Sequence, residues 1–176
     1  IAQKRQDMHW ANLHMPTNSE IPRTAFNSVY NAIIAASDFF ASRNKYKDSL
    51  SFSGSKEIYN NYTGELFKFD QLYRIFCENA DTADTSGWEI LKSLRDKIED
   101  VYSNWFLDSL ALKWESSISP QSWTIDDVTN QYEFFEKHVR KVAGVKTSRG
   151  SRTAYVIVSD ALRYEAAEEL TGELNG

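Results

Sequence analysis

The stretch that most constrains the fold is TAYVIVSDALRYEAAEEL, Thr153 to Leu170. Its unbroken apolar run, Ala154 to Val158, stops at Ser159-Asp160, and an amphipathic helical pattern follows almost at once. A short run rich in β-branched residues and without alternation fits a strand buried on both faces, as in a parallel sheet. Asp160 then falls at the C-terminal end of that strand, where open α/β sheets place their ligands. A lone strand cannot satisfy its own N–H and C=O groups. No second strand is readable between Asp160 and Gly176. The expectation is a chain cut from a larger protein, ending just after its α/β domain begins.

Upstream of that unit the pattern is helical. Residues 1–20 are polar with scattered aromatics and close on a turn signal at Pro16 to Ser19. Ser19 would cap a helix with Pro22 near its first turn. Phe26, Val29, Tyr30, Ile33, Ser37 and Phe40 recur at helical spacing until Ser53-Gly54-Ser55 breaks the helix. Ile58, Tyr62, Leu66, Phe69, Tyr73 and Phe76 then step by three and four residues and predict a second helix capped by Ser55. Asn79 to Gly87 reads as a polar connector. A third helix runs from about Trp88 to Glu115 on Leu91, Leu94, Ile98, Val101 and Trp105. Its part from Trp105 to Trp114 is apolar nearly all round, which predicts the most buried segment. Ser116 to Thr124 reads as a loop, and Tyr132, Phe135, Val139 and Val142 mark a fourth helix ended by Gly144. Gly144 to Arg152 is a flexible basic linker. The fold class predicted is mainly α: a four-helix bundle-like domain over residues 1–145, then a truncated βα unit over 146–176.

Composition narrows the function classes. The chain has 176 residues, 41% hydrophobic and 14% aromatic, enough for a sizeable core, and its 26% charged residues do not signal disorder. A net charge of −5 argues against a chain-wide polyanion-binding role while permitting a local basic patch. The single cysteine, Cys77, excludes an internal disulfide and a Cys-based zinc cluster. No apolar stretch approaches the roughly 18 residues needed to span a bilayer, and IAQKRQDMHW has no signal-peptide core. A cytoplasmic, reducing setting is the expectation.

Two readings of Asp160 stand side by side. A carboxylate at the C-terminal end of a buried strand can bind a divalent metal through oxygen. It can equally cap a helix beginning near Leu162. Arg163 could grip a phosphate oxygen, or pair with a glutamate and cover apolar surface with its stem. Glu168, Glu169 and Glu173 lie off the stripe Leu162, Ala166, Leu170 and predict a solvated face. His9, His14 and His138 show no ligand spacing, and the Trp105–Trp114 aromatics read as core. Lys137, Arg140, Lys141, Lys146, Arg149 and Arg152 form a basic cluster. It could neutralise nucleic-acid phosphates, or be the polar face of a terminal helix plus a solvated linker.

VIVSDALRYEAAEEL resembles the opening of the PglZ domain, a branch of the alkaline phosphatase superfamily found in the phosphatase-like component of bacterial BREX phage-defence systems. Met8-His9-Trp10, YKDSLSFSGSKEI (Tyr46 to Ile58), FKFDQLYRIF (Phe67 to Phe76) and VYSNWFLDSLALKW (Val101 to Trp114) resemble the helical region that precedes the catalytic core. The resemblance implies that Asp160 matches the first metal-ligand aspartate. The metal would be divalent, by resemblance zinc, and the nucleophile and other ligands would lie beyond Gly176. It implies metal-dependent phosphoester hydrolysis in the full parent protein and no catalytic residue within this chain. One carboxylate does not hold a catalytic metal tightly, so no tightly bound cofactor is expected here. Other defence-system proteins are the implied partners, nucleic acid a further candidate, and a membrane is not. The alternatives are a helical protein–protein interaction scaffold of a defence complex, or nucleic-acid binding through residues 137–152.

Overall fold

The computed structural model describes residues 1–6, 23–47, 50–85, 89–119, 121, 123–148 and 150–176. The helices are α1 (Ala2–Gln6), α2 (Arg23–Lys45), α3 (Ser55–Asn61), α4 (Phe67–Thr85), α5 (Lys92–Asp100), α6 (Asp108–Ser117) and α7 (Tyr164–Asn175). α3 and α4 are continuous through a π-helical turn at Tyr62–Leu66, and α5 and α6 through another at Val101–Leu107. A 3₁₀ turn, Glu89–Leu91, opens the α5 rod. The molecule is mainly α, as its periodicity predicts, and its core lies among three rods: α2, α3–α4 and α5–α6.

α2 and α4 are the most intimately paired elements. The residues α2 buries are mostly small: Val29, Ala32, Ala35, Ala36 and Phe39 are all within the core, and α4 answers with Phe76, Ala80 and Ala83. Alanines without bulk at the contact let two helix axes approach closely, while Ile33 and Phe40 pack from the flanks. The predicted stripe is thus displaced by a residue or so, and its Ser37 is exposed. The Asn79–Gly87 connector is replaced by helix as far as Thr85. Phe76, Ala80 and Ala83 continue the three-and-four spacing, and their burial stabilises the extension. The first helix ends at Lys45, with Arg43 and Lys45 complementing its C-terminal dipole.

The π-helical turns re-aim the buried face. Along α5–α6 the buried residues are Leu91, Ile98, Tyr102 and Phe106, where regular α spacing predicts Val101 and Trp105. A turn closed by i→i+5 bonds carries one extra residue, so the core face moves on by one position. Phe106 is fully buried, but α6 buries no residue and Leu112 is 65% exposed. The Trp105–Trp114 segment is therefore only half core, because no described element covers the outer side of α6.

The fourth predicted helix lies at Gln131–Val139 as a 3₁₀ turn followed by a π-helical turn, with no buried residue. Gly144 ends the segment with φ +77°, the left-handed region glycine tolerates best. The expected flexible linker is instead a small hairpin, β1 (Lys146–Thr147) paired antiparallel to β2 (Gly150–Ser151). Gly144 N–H donates to Arg152 C=O at 3.1 Å and Arg152 N–H to Val145 C=O at 2.9 Å. Ala154–Val158 joins no ladder, and Tyr155, Ile157 and Val158 are 91–92% exposed. Among the described residues no strand runs alongside to pair with it. α7 then packs onto α4.

Candidate functional site

The candidate site is the turn at Asp160 and the junction that fastens α7 to the helical region. Asp160 is exposed in a turn, and Ala161 beside it has φ +57°. That left-handed conformation costs a residue with a β-carbon about 1–2 kcal/mol. The N-cap of α7 is Arg163, in extended conformation and without a side-chain cap bond. Helix begins at Tyr164, so Asp160 stands three residues ahead of the cap and does not perform the capping role.

Behind the turn, α7 is held by side chains that carry charge. The Tyr164 ring packs 5.9 Å from that of Tyr62 and 5.4 Å from that of Phe67, and its hydroxyl donates to Thr63 C=O at 3.1 Å. Glu165 is fully buried, and both of its oxygens accept from Arg74 Nε, at 3.2 and 3.1 Å. Arg74 also pairs with Glu78 at 3.3 Å and with Glu169. A buried carboxylate survives only when paired and hydrogen-bonded, which this guanidinium provides.

A second buried carboxylate lies close by. Asp70 accepts from the hydroxyls of Tyr62 and Tyr102, each at 2.6 Å. Tyr102 stacks on Tyr73 with centroids 3.9 Å apart. Burial, then the hydrogen bond to Asp70, pushes the Tyr62 and Tyr102 phenols well above their ordinary range. Arg163 reaches the Tyr102 hydroxyl and acts in the opposite direction. The leucines of the Leu162, Ala166, Leu170 stripe expected to face inward are exposed instead, Leu162 at 49% and Leu170 at 47%, while Ala166 is half-buried. Glu165 takes the inward position because Arg74 neutralises it there. Glu168 and Glu173 are exposed as expected, while Glu169 is half-engaged with Arg74.

Asp70, Arg74 and Glu165 carry the junction, and hydropathy periodicity does not find them because it scores every charge as surface. One signal was present: Asp70 and Arg74 lie four apart on either side of Tyr73 in the strongest helical stripe of the chain.

The basic cluster does not converge on the Asp160 turn. Lys137 pairs with Glu133 at 3.0 Å and Arg140 with Glu136 at 2.7 Å. Lys141, Lys146 and Arg152 are exposed, and Arg149 lies outside the described residues. His9 and His14 also lie outside them, whereas exposed His138 stacks on Phe134. Cys77 is half-buried against the core.

Across 179 aligned residues, 99% of this chain, the sequence is 35% identical to "Alkaline phosphatase-like protein BrxZ" of Escherichia coli O9:H4 (strain HS). Over the same share it is 28% identical to "Alkaline phosphatase-like protein PglZ" of Bacillus cereus (strain H3081.97). The chain belongs to the PglZ family. It spans about a fifth (19%) of the length of these two relatives. No protein-family model and no solved structure matches it. Among the described residues of this PglZ-family chain, no three His, Cys, Asp or Glu side chains gather as a metal site would need. Nor is any described helix long and apolar enough to cross a membrane.

Proposed function

We propose that this chain is the helical region and first βα unit of an alkaline-phosphatase-like protein of a BREX-type defence system, whose full length hydrolyses phosphoesters with divalent metal. The observation that carries the reading is the similarity along 99% of the chain to two proteins named alkaline phosphatase-like. The geometry at Asp160 supports it: the carboxylate is exposed, is not used to cap α7, and sits beside a strained Ala161. Strained backbone clusters at functional turns.

Asp160 is one ligand at most, and the described residues do not complete a metal centre. The remaining ligands and the nucleophile belong to the rest of the protein, and 146–176 is the opening of that domain. A divalent ion, with zinc favoured, would activate the nucleophile and stabilise phosphoryl charge. This chain's own part is to hold the Asp160 turn through α7, and by itself it is non-catalytic. Arg163, two residues beyond the turn, is the candidate cation for a phosphate oxygen.

The test is hydrolysis of aryl phosphate monoesters and diesters by the full-length protein, with and without Zn²⁺, beside an Asp160→Ala variant. Metal-dependent turnover that the variant loses supports the reading; absence of turnover with every metal tried refutes it.

A second reading, a scaffold for other defence proteins, is favoured by exposed aromatics on the 131–139 segment: Tyr132 is 74%, Phe134 43% and Phe135 54% exposed. Failure of the full-length protein to capture any other component of its system in a pull-down would sink it. Nucleic-acid binding would draw on exposed Lys141, Lys146 and Arg152. It requires affinity that falls steeply with salt.

A further inference from the structure

We propose that the apolar groove between α3 and α6 is the seat of the α/β domain that Ala154–Asn175 begins, an inference that rests on the phosphatase-like reading above. Ile58, Tyr59 and Tyr62 form one wall of the groove and Leu107, Leu110 and Trp114 the other, around about 350 Å³ of open space. No charged side chain lines it. Apolar concavities of this kind in a water-exposed wall mark contact sites.

The occupant is named by continuity with an interface already in place. Tyr62 belongs to both surfaces: it lines the groove, and its ring meets Tyr164 at the start of α7. The groove therefore begins where the seat of α7 ends. α7 itself is fixed there by Tyr164, Glu165 and Glu169, so the unit cannot swing away without breaking the Arg74 pairs. Its opposite side is bare, with Leu162, Leu170 and Leu174 exposed along with the Tyr155–Val158 run. A helix packed on the bundle by its charged side and apolar on its outer side is the inner layer of a sheet-containing domain. The two relatives place about four-fifths of their length outside the aligned region, consistent with a body large enough to spread past α7 onto the neighbouring wall.

The experiment is hydroxyl-radical footprinting of the full-length protein at a concentration where it is monomeric. Trp114 lines the groove, and Trp123, 63% exposed and not among the groove residues, is the internal reference. Trp114 is expected to be labelled at least tenfold more slowly than Trp123. Ala111→Arg, at an exposed lining position where a long side chain disturbs no core, is expected to raise Trp114 labelling at least fivefold. The same variant should speed proteolysis between Gly144 and Arg152. Trp114 labelled as readily as Trp123 in wild type overturns the proposal, as does an Ala111→Arg variant with unchanged labelling. Protection that appears only on dimerisation makes a second copy the occupant and also overturns it. Because labelling is read without turnover, a protected groove in a protein that hydrolyses nothing would refute the phosphatase reading and leave the docking intact. An unprotected groove in an active hydrolase would do the reverse.

Discussion

Removing Arg74 should cost far more stability than neutralising the glutamate it serves. Arg74→Met leaves the fully buried Glu165 without its cation, whereas Glu165→Gln leaves Arg74 still paired with Glu78 and Glu169. Orphaning one member of a buried pair costs roughly 3–5 kcal/mol. The Arg74 side chain is 27% exposed, so water screens the pair and the low end applies, about 3 kcal/mol. Glu165→Gln keeps an acceptor for Nε and should cost about 1 kcal/mol. Equilibrium urea unfolding followed by tryptophan fluorescence measures both, and in heat the first variant should melt roughly 6–12 °C lower. The Arg74→Met, Glu165→Leu double variant should recover most of the loss, since an apolar pair leaves no charge stranded. Equal costs for the two single variants, or Arg74→Met within about 0.5 kcal/mol of wild type, would refute the argument that a buried, paired carboxylate fastens α7.

Three further perturbations probe the buried phenols, the Ala161 turn and the contact between α2 and α4. Tyr62, Tyr73 and Tyr102 are all pushed well above the ordinary phenol range, chiefly by burial, so alkaline titration at 295 nm should show these three of the nine tyrosines ionising only as the protein unfolds. With folded values above unfolded ones, their contribution is complete below about pH 10 and is lost as pH rises beyond it; three phenols that titrate normally in a folded protein would contradict their burial. At the left-handed Ala161, glycine should cost no stability and valine about 1–2 kcal/mol, in thermal melts of each variant; valine as stable as wild type would remove the strain. Ala80→Leu, fully buried where α2 and α4 pair, should cost about 1–3 kcal/mol by overpacking, and an unchanged urea midpoint would mean the two helices are not in close contact.

Different physical signals made different parts of this molecule legible. The α3–α4 rod could be read directly because Ile58, Leu66, Phe69 and Phe76 are large, apolar and regularly spaced. The α2 face was harder, since its buried alanines score weakly beside flanking Ile33 and Phe40; size complementarity between helices, not hydropathy, selects them. The register along α5–α6 departs from α spacing because a π-helical turn adds a residue, which periodicity alone does not announce. At the site, the helix after Asp160 was legible as a helix, but its orientation was not. Leu162 and Leu170 look like its inner face, and one tertiary partner, Arg74, reverses it by making Glu165 the buried residue. A pattern that averages over a helix cannot register one ion pair, and here that pair decides how the Asp160 turn is presented.

The proposed role of Asp160 is to serve a metal centre assembled with the rest of the protein. Zinc content and affinity of the purified full-length protein, wild type against Asp160→Asn, test it most directly. Bound zinc near one ion or more per chain, with affinity falling at least tenfold in the variant while the thermal melt of the metal-free protein stays unchanged, is the predicted result. Equal zinc content and affinity in both proteins would contradict it.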